Sequence, residues 1–264
     1  MSIQKDNGAH TNVEFWDAQW NQRSAYGGIA SKLRSADFGE KGAFLRVLNR
    51  HAPGLFATAR LVELGGASSR FAIDLAKFAQ CDVTIVDNSE VGIEISKQLF
   101  SRENVEINTI FGDMFDLEEL DETFDIVTHW GLMEHFEDPG LIFDISARLL
   151  KPGGHLVYSM PNMAAAGARL WKLHAPGNFS AHIFHSDEAL DRAAIASGFE
   201  TQKIFHFGVP LVRMAPAEQN RLSARVADGV HASLLAAQLI SPAIWTSGHH
   251  KIASTRAFIL KKTR

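Results

Sequence analysis

From Arg60 onward, short apolar runs alternate with stretches whose apolar positions recur every three to four residues. That alternation predicts a parallel sheet covered by helices on both faces. Arg60 to Leu64 reads as a first strand, and Phe71, Ala72, Leu75, Ala76 and Ala79 follow at helical spacing. Asp82 to Val86 is a second strand, and Val91, Ile93, Ile95 and Leu99 supply the apolar positions of the next helix. Ile107 to Phe111, Phe124 to His129 and His155 to Tyr158 make three more strands. Between the last two, Leu141 to Leu150 is helical and stops at Lys151-Pro152-Gly153-Gly154, where proline and glycine oppose continuation.

Beyond Pro161 the rhythm loosens. Asn162 to His185 shows no clear strand, Asp187 to Ala196 is a helix ending at Ser197-Gly198-Phe199, and Lys203 to Phe207 is a sixth strand. Ala217 to Ile240 is largely helical and Ala253 to Lys261 makes a seventh strand. The segment before Leu61, with Phe15, Trp16, Trp20 and Tyr26, is helical in places. The division expected is one domain over 1–264, with an N-terminal helical cap at 1–58, a ligand-binding core at 59–161, and lid elements with the last strands at 162–264.

Composition narrows the class. A chain of 264 residues buries a sizeable core without disulfides, and a net charge of -4 offers no electrostatic footprint for nucleic acid. The single cysteine, Cys81, opens an apolar strand and reads as a small buried hydrophobe in a reducing compartment. Met1 to Val13 is polar, unlike a signal peptide, and no run approaches the ~20 apolar residues that span a bilayer. A cytoplasmic protein with no membrane contact is expected.

Ligands of an open parallel sheet bind outside the carboxyl ends of its strands. After the first strand come Gly65 and Gly66 with small Ala67, Ser68 and Ser69, which let backbone approach a ligand with N–H groups pointing outward. After the second comes Asp87, 22 residues beyond Gly65, at a spacing where a carboxylate accepts hydrogen bonds from a ribose diol. After the third comes Gly112-Asp113-Met114, an acidic group for an adenine amine with a methionine against the ring. Together they outline an adenosine. Each also has a plainer explanation: a tight turn at Gly65-Gly66, a helix cap at Asp87, an ordinary turn at Gly112-Asp113.

With these blocks in place the sequence resembles the class I S-adenosylmethionine (SAM) dependent methyltransferases of the small-molecule type. The resemblance covers roughly Leu61 to Phe199. It rests on Glu63-Leu64-Gly65-Gly66, Ile85-Val86-Asp87, Gly112-Asp113, Phe124-Asp125-Ile126-Val127, Leu132-Met133-Glu134-His135 with Asp138-Pro139, and Leu149-Leu150-Lys151-Pro152-Gly153-Gly154. It implies an α/β Rossmann-like fold with a seven-stranded, mostly parallel sheet whose final strand is antiparallel. It also implies SAM as cofactor, held by Glu63, Gly65, Gly66, Ala67, Asp87, Asn88, Gly112, Asp113 and Met114, with His129, Trp130, Gly131 and Leu132 passing along its methionine portion. The family's turn usually carries further glycines where this chain has Ala67 and Ser69, and smaller residues than His129 and Trp130. Some relatives with the Glu134-His135 pattern bind a divalent metal through a carboxylate three residues earlier. Gly131 stands there, so no metal is expected.

A sulfonium carbon is already electrophilic, so such an enzyme mainly aligns the acceptor and excludes water. Trp16, Trp20, Tyr26 and Trp130 offer aromatic faces to a positive sulfur, and Tyr26, before Gly27-Gly28, suits closure over the cofactor. His135, His182 and His185 suit proton removal from a hydroxyl or amine. Trp171, Phe179 and Phe184 would give the lid an aromatic wall for a small organic acceptor. Three rivals remain beside methyl transfer to O, N or C. A nicotinamide-dependent reductase would need glycine at Ala67 and Arg70. A SAM enzyme of other chemistry would cyclise the cofactor or transfer an aminopropyl group. A SAM-binding module would do no turnover.

Overall fold

In the computed structural model the residues described are 9, 11–18, 40–210, 229–230, 233 and 248–263. Trp20, Tyr26 and most of the helix expected over 217–240 lie outside them. Seven strands form one sheet in the order β3-β2-β1-β4-β5-β7-β6. They are β1 (Arg60–Leu64), β2 (Asp82–Asp87), β3 (Asn108–Phe111), β4 (Phe124–Trp130), β5 (Leu150–Pro161), β6 (Phe199–Pro210) and β7 (Ala253–Lys262). The first five run parallel, and β7 inserts antiparallel between β5 and β6.

Helices α1 (Glu40–His51), α2 (Arg70–Phe78) and α3 (Glu90–Glu103) cover one face; α4 (Gly140–Leu149) and α7 (Asp187–Ala196) cover the other. The two-residue period of the strands divides the core between these layers. Leu61, Ile85, Ile126, Val157 and Ile259 pack toward α1 to α3. Val62, Leu64, Val86, Val127, Tyr158 and Phe258 pack toward α4 and α7. Proline and glycine after α4 do end the helix, but they do so inside β5, which starts at Leu150 rather than His155. The segment after β5 contains α5 (Ala168–His174) and α6 (Pro176–Ser180), folded around fully buried Trp171, whose indole N–H donates to Asn178 Oδ1 at 2.9 Å. Trp171 therefore anchors this segment from within, and Phe184 is exposed beside the Arg256 guanidinium.

Candidate functional site

The carboxyl ends of β1, β2, β3 and β4 lie side by side, which gathers the strand-end residues singled out in the sequence along one edge. Gly65 turns the chain at φ +62°, and a Cβ there would stand 3.0 Å from Leu132 Cδ1, so the turn after β1 and the loop after β4 touch. A Cβ at Gly66 would stand 3.0 Å from the Ile85 Cβ and 3.1 Å from the Glu63 carbonyl oxygen. Only glycine fits both positions.

The N–H groups of this turn do not point outward as expected. Gly66 donates to the Val86 carbonyl (3.1 Å), Ala67 to Asp87 Oδ2 (2.9 Å), Ser68 to Ser96 Oγ (2.6 Å) and Ser69 to the Gly66 carbonyl (3.1 Å). A pyrophosphate cradle needs such donors free. The turn therefore offers close backbone approach without free N–H donors for a phosphate, which argues against a dinucleotide.

Asp87, at the end of β2, accepts from Ala67 on Oδ2 and from Ser89 on Oδ1, each at 2.9 Å. Burial raises its pKa, while those N–H donors oppose the rise. Each carboxylate oxygen has a second lone pair, so the group can still accept from a diol. Asn88 beside it is exposed. The Gly112 N–H donates to the Asp87 carbonyl at 3.0 Å, and a Cβ built on Gly112 meets nothing within 4 Å, so space opens next to this strand end. Asp113 Oδ1 closes its own turn by accepting from the Phe115 N–H at 3.0 Å, and Met114 is half-buried against the core.

Glu63 is fully buried at the end of β1, and burial pushes its carboxyl up to about 8, opposed by the Ser69 hydroxyl and the Trp130 indole. Ser69 Oγ donates to Glu63 Oε2 at 2.9 Å and accepts from the Ala72 N–H at 3.1 Å, so one hydroxyl caps α2 and satisfies the acid. Trp130 packs against Phe71. His129 has no exposed surface; its ring stacks on Tyr158 with centroids 4.8 Å apart, and neither ring nitrogen has a hydrogen-bond partner. Burial lowers its pKa to about 3. The His129 side chain is a neutral core residue and lines no surface, contrary to the expectation that it flanks the cofactor.

A short helical stretch at residues 13–18 crosses the strand ends. Ser89 Oγ donates to Asp17 Oδ1 at 2.5 Å, Ala9 bridges to Phe136, and Trp16 meets His135 edge-on with centroids 5.1 Å apart. Sequence reasoning missed Asp17, because nothing local marks a carboxylate that is used 72 residues away. The three candidate histidines converge here too. His135 Nδ1 lies 3.0 Å from the Ala181 carbonyl, His182 Nδ1 lies 2.7 Å from the Asn178 carbonyl, and His185 Nε2 lies 3.0 Å from the Phe136 carbonyl. Each of those nitrogens must carry hydrogen, which leaves the lone pair on the other. Burial lowers the pKa of both His182 and His185. Tyr26 lies outside the described residues.

A match to the family described as "Methyltransferase domain" covers residues 38–204, more than half of the chain. The chain belongs to that family. It is a family of SAM-dependent methyltransferases. A ubiquinone biosynthesis O-methyltransferase of Coxiella burnetii is 38% identical over 80 residues, or 30% of this chain and 34% of that protein. The chain thus spans about a third of the length of the curated relatives it matches. Phosphoethanolamine N-methyltransferase 2 of Haemonchus contortus, in complex with SAM, superposes with a TM-score of 0.60 at 15% identity, over 96% of this chain and 58% of that one. A SAM-dependent methyltransferase of Mesorhizobium loti superposes with a TM-score of 0.55 at 17% identity, over 83% of this chain and 97% of that one. These two likenesses establish the fold.

The residues present fit the family's cofactor. Gly65 and Gly66 are confined where a Cβ would intrude, space opens at Gly112, and the half-buried Asp87 carboxylate keeps acceptor capacity. Among the described residues no helix is long and apolar enough to cross a membrane.

Proposed function

We propose that this chain, as one domain, transfers the methyl group of SAM to an oxygen, nitrogen or carbon of a small organic molecule. The observation that carries the reading is the order of groups along one sheet edge. A turn with its N–H groups spent internally is followed by a half-buried carboxylate and then by an open glycine. SAM supplies an electrophilic methyl carbon on a sulfonium. Asp87 accepts from the ribose, Asn88 and Asp113 flank the adenine, and Gly65, Gly131 and Leu132 shape the channel for the methionine portion. Ala9 and residues 11–18 cover the strand ends and exclude water, which favours displacement at carbon.

For acceptors that must lose a proton, the neutral imidazole of His185 is the group at hand, with His135 and His182 beside it. A net charge of -4 and the exposed ring of Phe184 favour a compact organic acceptor over a nucleic acid. The buried lone thiol of Cys81 suits a cytoplasmic enzyme.

Calorimetric titration of SAM into the wild type, Asp87→Asn and Asp87→Ala tests the reading. Wild type should bind, and each variant should bind at least tenfold more weakly; equal affinities would overturn it. Incubation with SAM alone should release no methylthioadenosine, and its appearance would assign the fold to cyclising or aminopropyl chemistry instead.

A further inference from the structure

Two hydrogen bonds hold the segment after α6 against the loop after β4. The Ile183 N–H donates to the Glu134 carbonyl at 2.7 Å, and the Nδ1–H of His135 donates to the Ala181 carbonyl at 3.0 Å. Between these bonds sits His182, whose ring centroid is 4.7 Å from that of His135. Its orientation is fixed from behind, because its Nδ1–H donates to the Asn178 carbonyl and the Trp171 indole packs edge-on at 4.8 Å. Both imidazoles therefore commit Nδ1 to a backbone carbonyl and carry their lone pair on Nε2. That outer bond is the device that orients histidine ligands in metal centres.

The third member is Glu134. It is 1% exposed, and its Oε2 has no hydrogen-bond partner. A buried carboxylate oxygen with no donor is costly unless a cation meets it. The Arg256 guanidinium acts on Glu134 through its charge alone, its NH1 and NH2 groups donating to Asp187 Oδ1 and to the His185 carbonyl. One ligand atom each from Glu134, His135 and His182 lie within 4.8 Å of one another.

We propose that Glu134, His135 and His182 bind one borderline divalent cation of the zinc type. The expectation of no metal rested on Gly131, and the structure brings His182 from another element to complete a donor set that Gly131 cannot. Gly131 stands at φ +71°, and a Cβ there would come within 3.2 Å of Glu134 Oε1, so a longer side chain at that position is disfavoured. Two imidazoles and one carboxylate suit zinc and its neighbours in the first transition row, whereas magnesium prefers an all-oxygen shell. Three protein ligands leave at least one position for water or for an oxygen of a bound molecule. His185, three residues on, stays outside the set. The inference does not depend on the methyl-transfer reading.

The test uses the full chain stripped with a chelator and titrated with zinc chloride by calorimetry, with unfolding temperature as a second readout. Wild type should bind one equivalent and gain unfolding temperature on binding. Glu134→Gln and His182→Ala should each weaken zinc affinity at least tenfold and lose most of that gain. His249→Ala/His250→Ala, which removes an exposed histidine pair, should stay within twofold of wild type. Magnesium chloride should give no saturable heat. No saturable zinc binding by wild type would overturn the proposal, as would unchanged affinity in His182→Ala or a loss confined to the His249/His250 variant. If Glu134→Gln fails to fold, the partly exposed His182 carries the comparison alone.

Discussion

Ser69 stands where relatives usually carry a glycine, and its hydroxyl donates to buried Glu63 while accepting the Ala72 N–H that opens α2. The departure from the glycine pattern is thus an exchange of backbone freedom for a cap and a partner that joins the Trp130 indole at a buried acid.

Removing that hydroxyl should be felt in stability. Ser69→Ala loses the cap and leaves Glu63 Oε2 short of a donor, and is expected to cost about 1–3 kcal/mol in denaturant unfolding. A change below ~0.5 kcal/mol would mean that Glu63 finds another donor.

Glu63 also predicts a pH dependence. Its carboxyl is pushed up to about 8 by burial, so the folded state holds a proton that the unfolded chain releases in the ordinary carboxylate range. The stability this contributes is fully present below that range and is lost as pH rises through about 8. Glu63→Gln, neutral at all pH values, should gain on wild type between pH 5 and 8 and run parallel to it above about 9. Parallel curves throughout would show Glu63 ionised in the fold.

His129 predicts the opposite slope. Its folded pKa is lowered to about 3, so the unfolded state binds the extra proton below the ordinary histidine value, and wild type loses stability as pH falls from 7 toward 4. His129→Phe removes two unpartnered nitrogens from the core and should be neutral or stabilising at pH 7, with the gap widening at pH 5. Destabilisation beyond ~1 kcal/mol at both values would point to a polar role for the ring.

Two glycines separate folding from binding. Gly66→Ala forces a Cβ to 3.0 Å from Ile85 and should cost about 1–3 kcal/mol of stability. Gly112→Val projects into open space and should leave unfolding within ~0.5 kcal/mol, yet weaken SAM at least tenfold in calorimetry. Retained affinity would move the adenine away from this strand end.

Much of this architecture is written locally. β1 and α7 have the bounds that apolar periodicity gives them, and β2 and β4 each run one residue further. β6 is legible only in its middle: polar Glu200, Thr201 and Gln202 mask its first part, next to the point where the ladder shifts register. The His129 misreading was avoidable, since it shares its strand face with buried Val127 two residues earlier. The meeting of His182 with Glu134 was not legible, because it depends on carbonyls at Ala181 and Glu134 whose partners lie about 50 residues away in the chain.

The placement of β7 bears on how the chain reaches its fold. His155 pairs with Lys261 and Pro161 with Thr255, so the seventh strand in chain order occupies an interior position of the sheet. As a nascent chain emerges, β5 keeps an open edge and β6 has no neighbour until residues 253–262 arrive to lie between them. Such late, long-range closure is slow and leaves a sticky edge waiting. A stall or nick ahead of Ala253 would thus leave two unpaired strand edges, and aggregation rather than a shortened enzyme is the expected product.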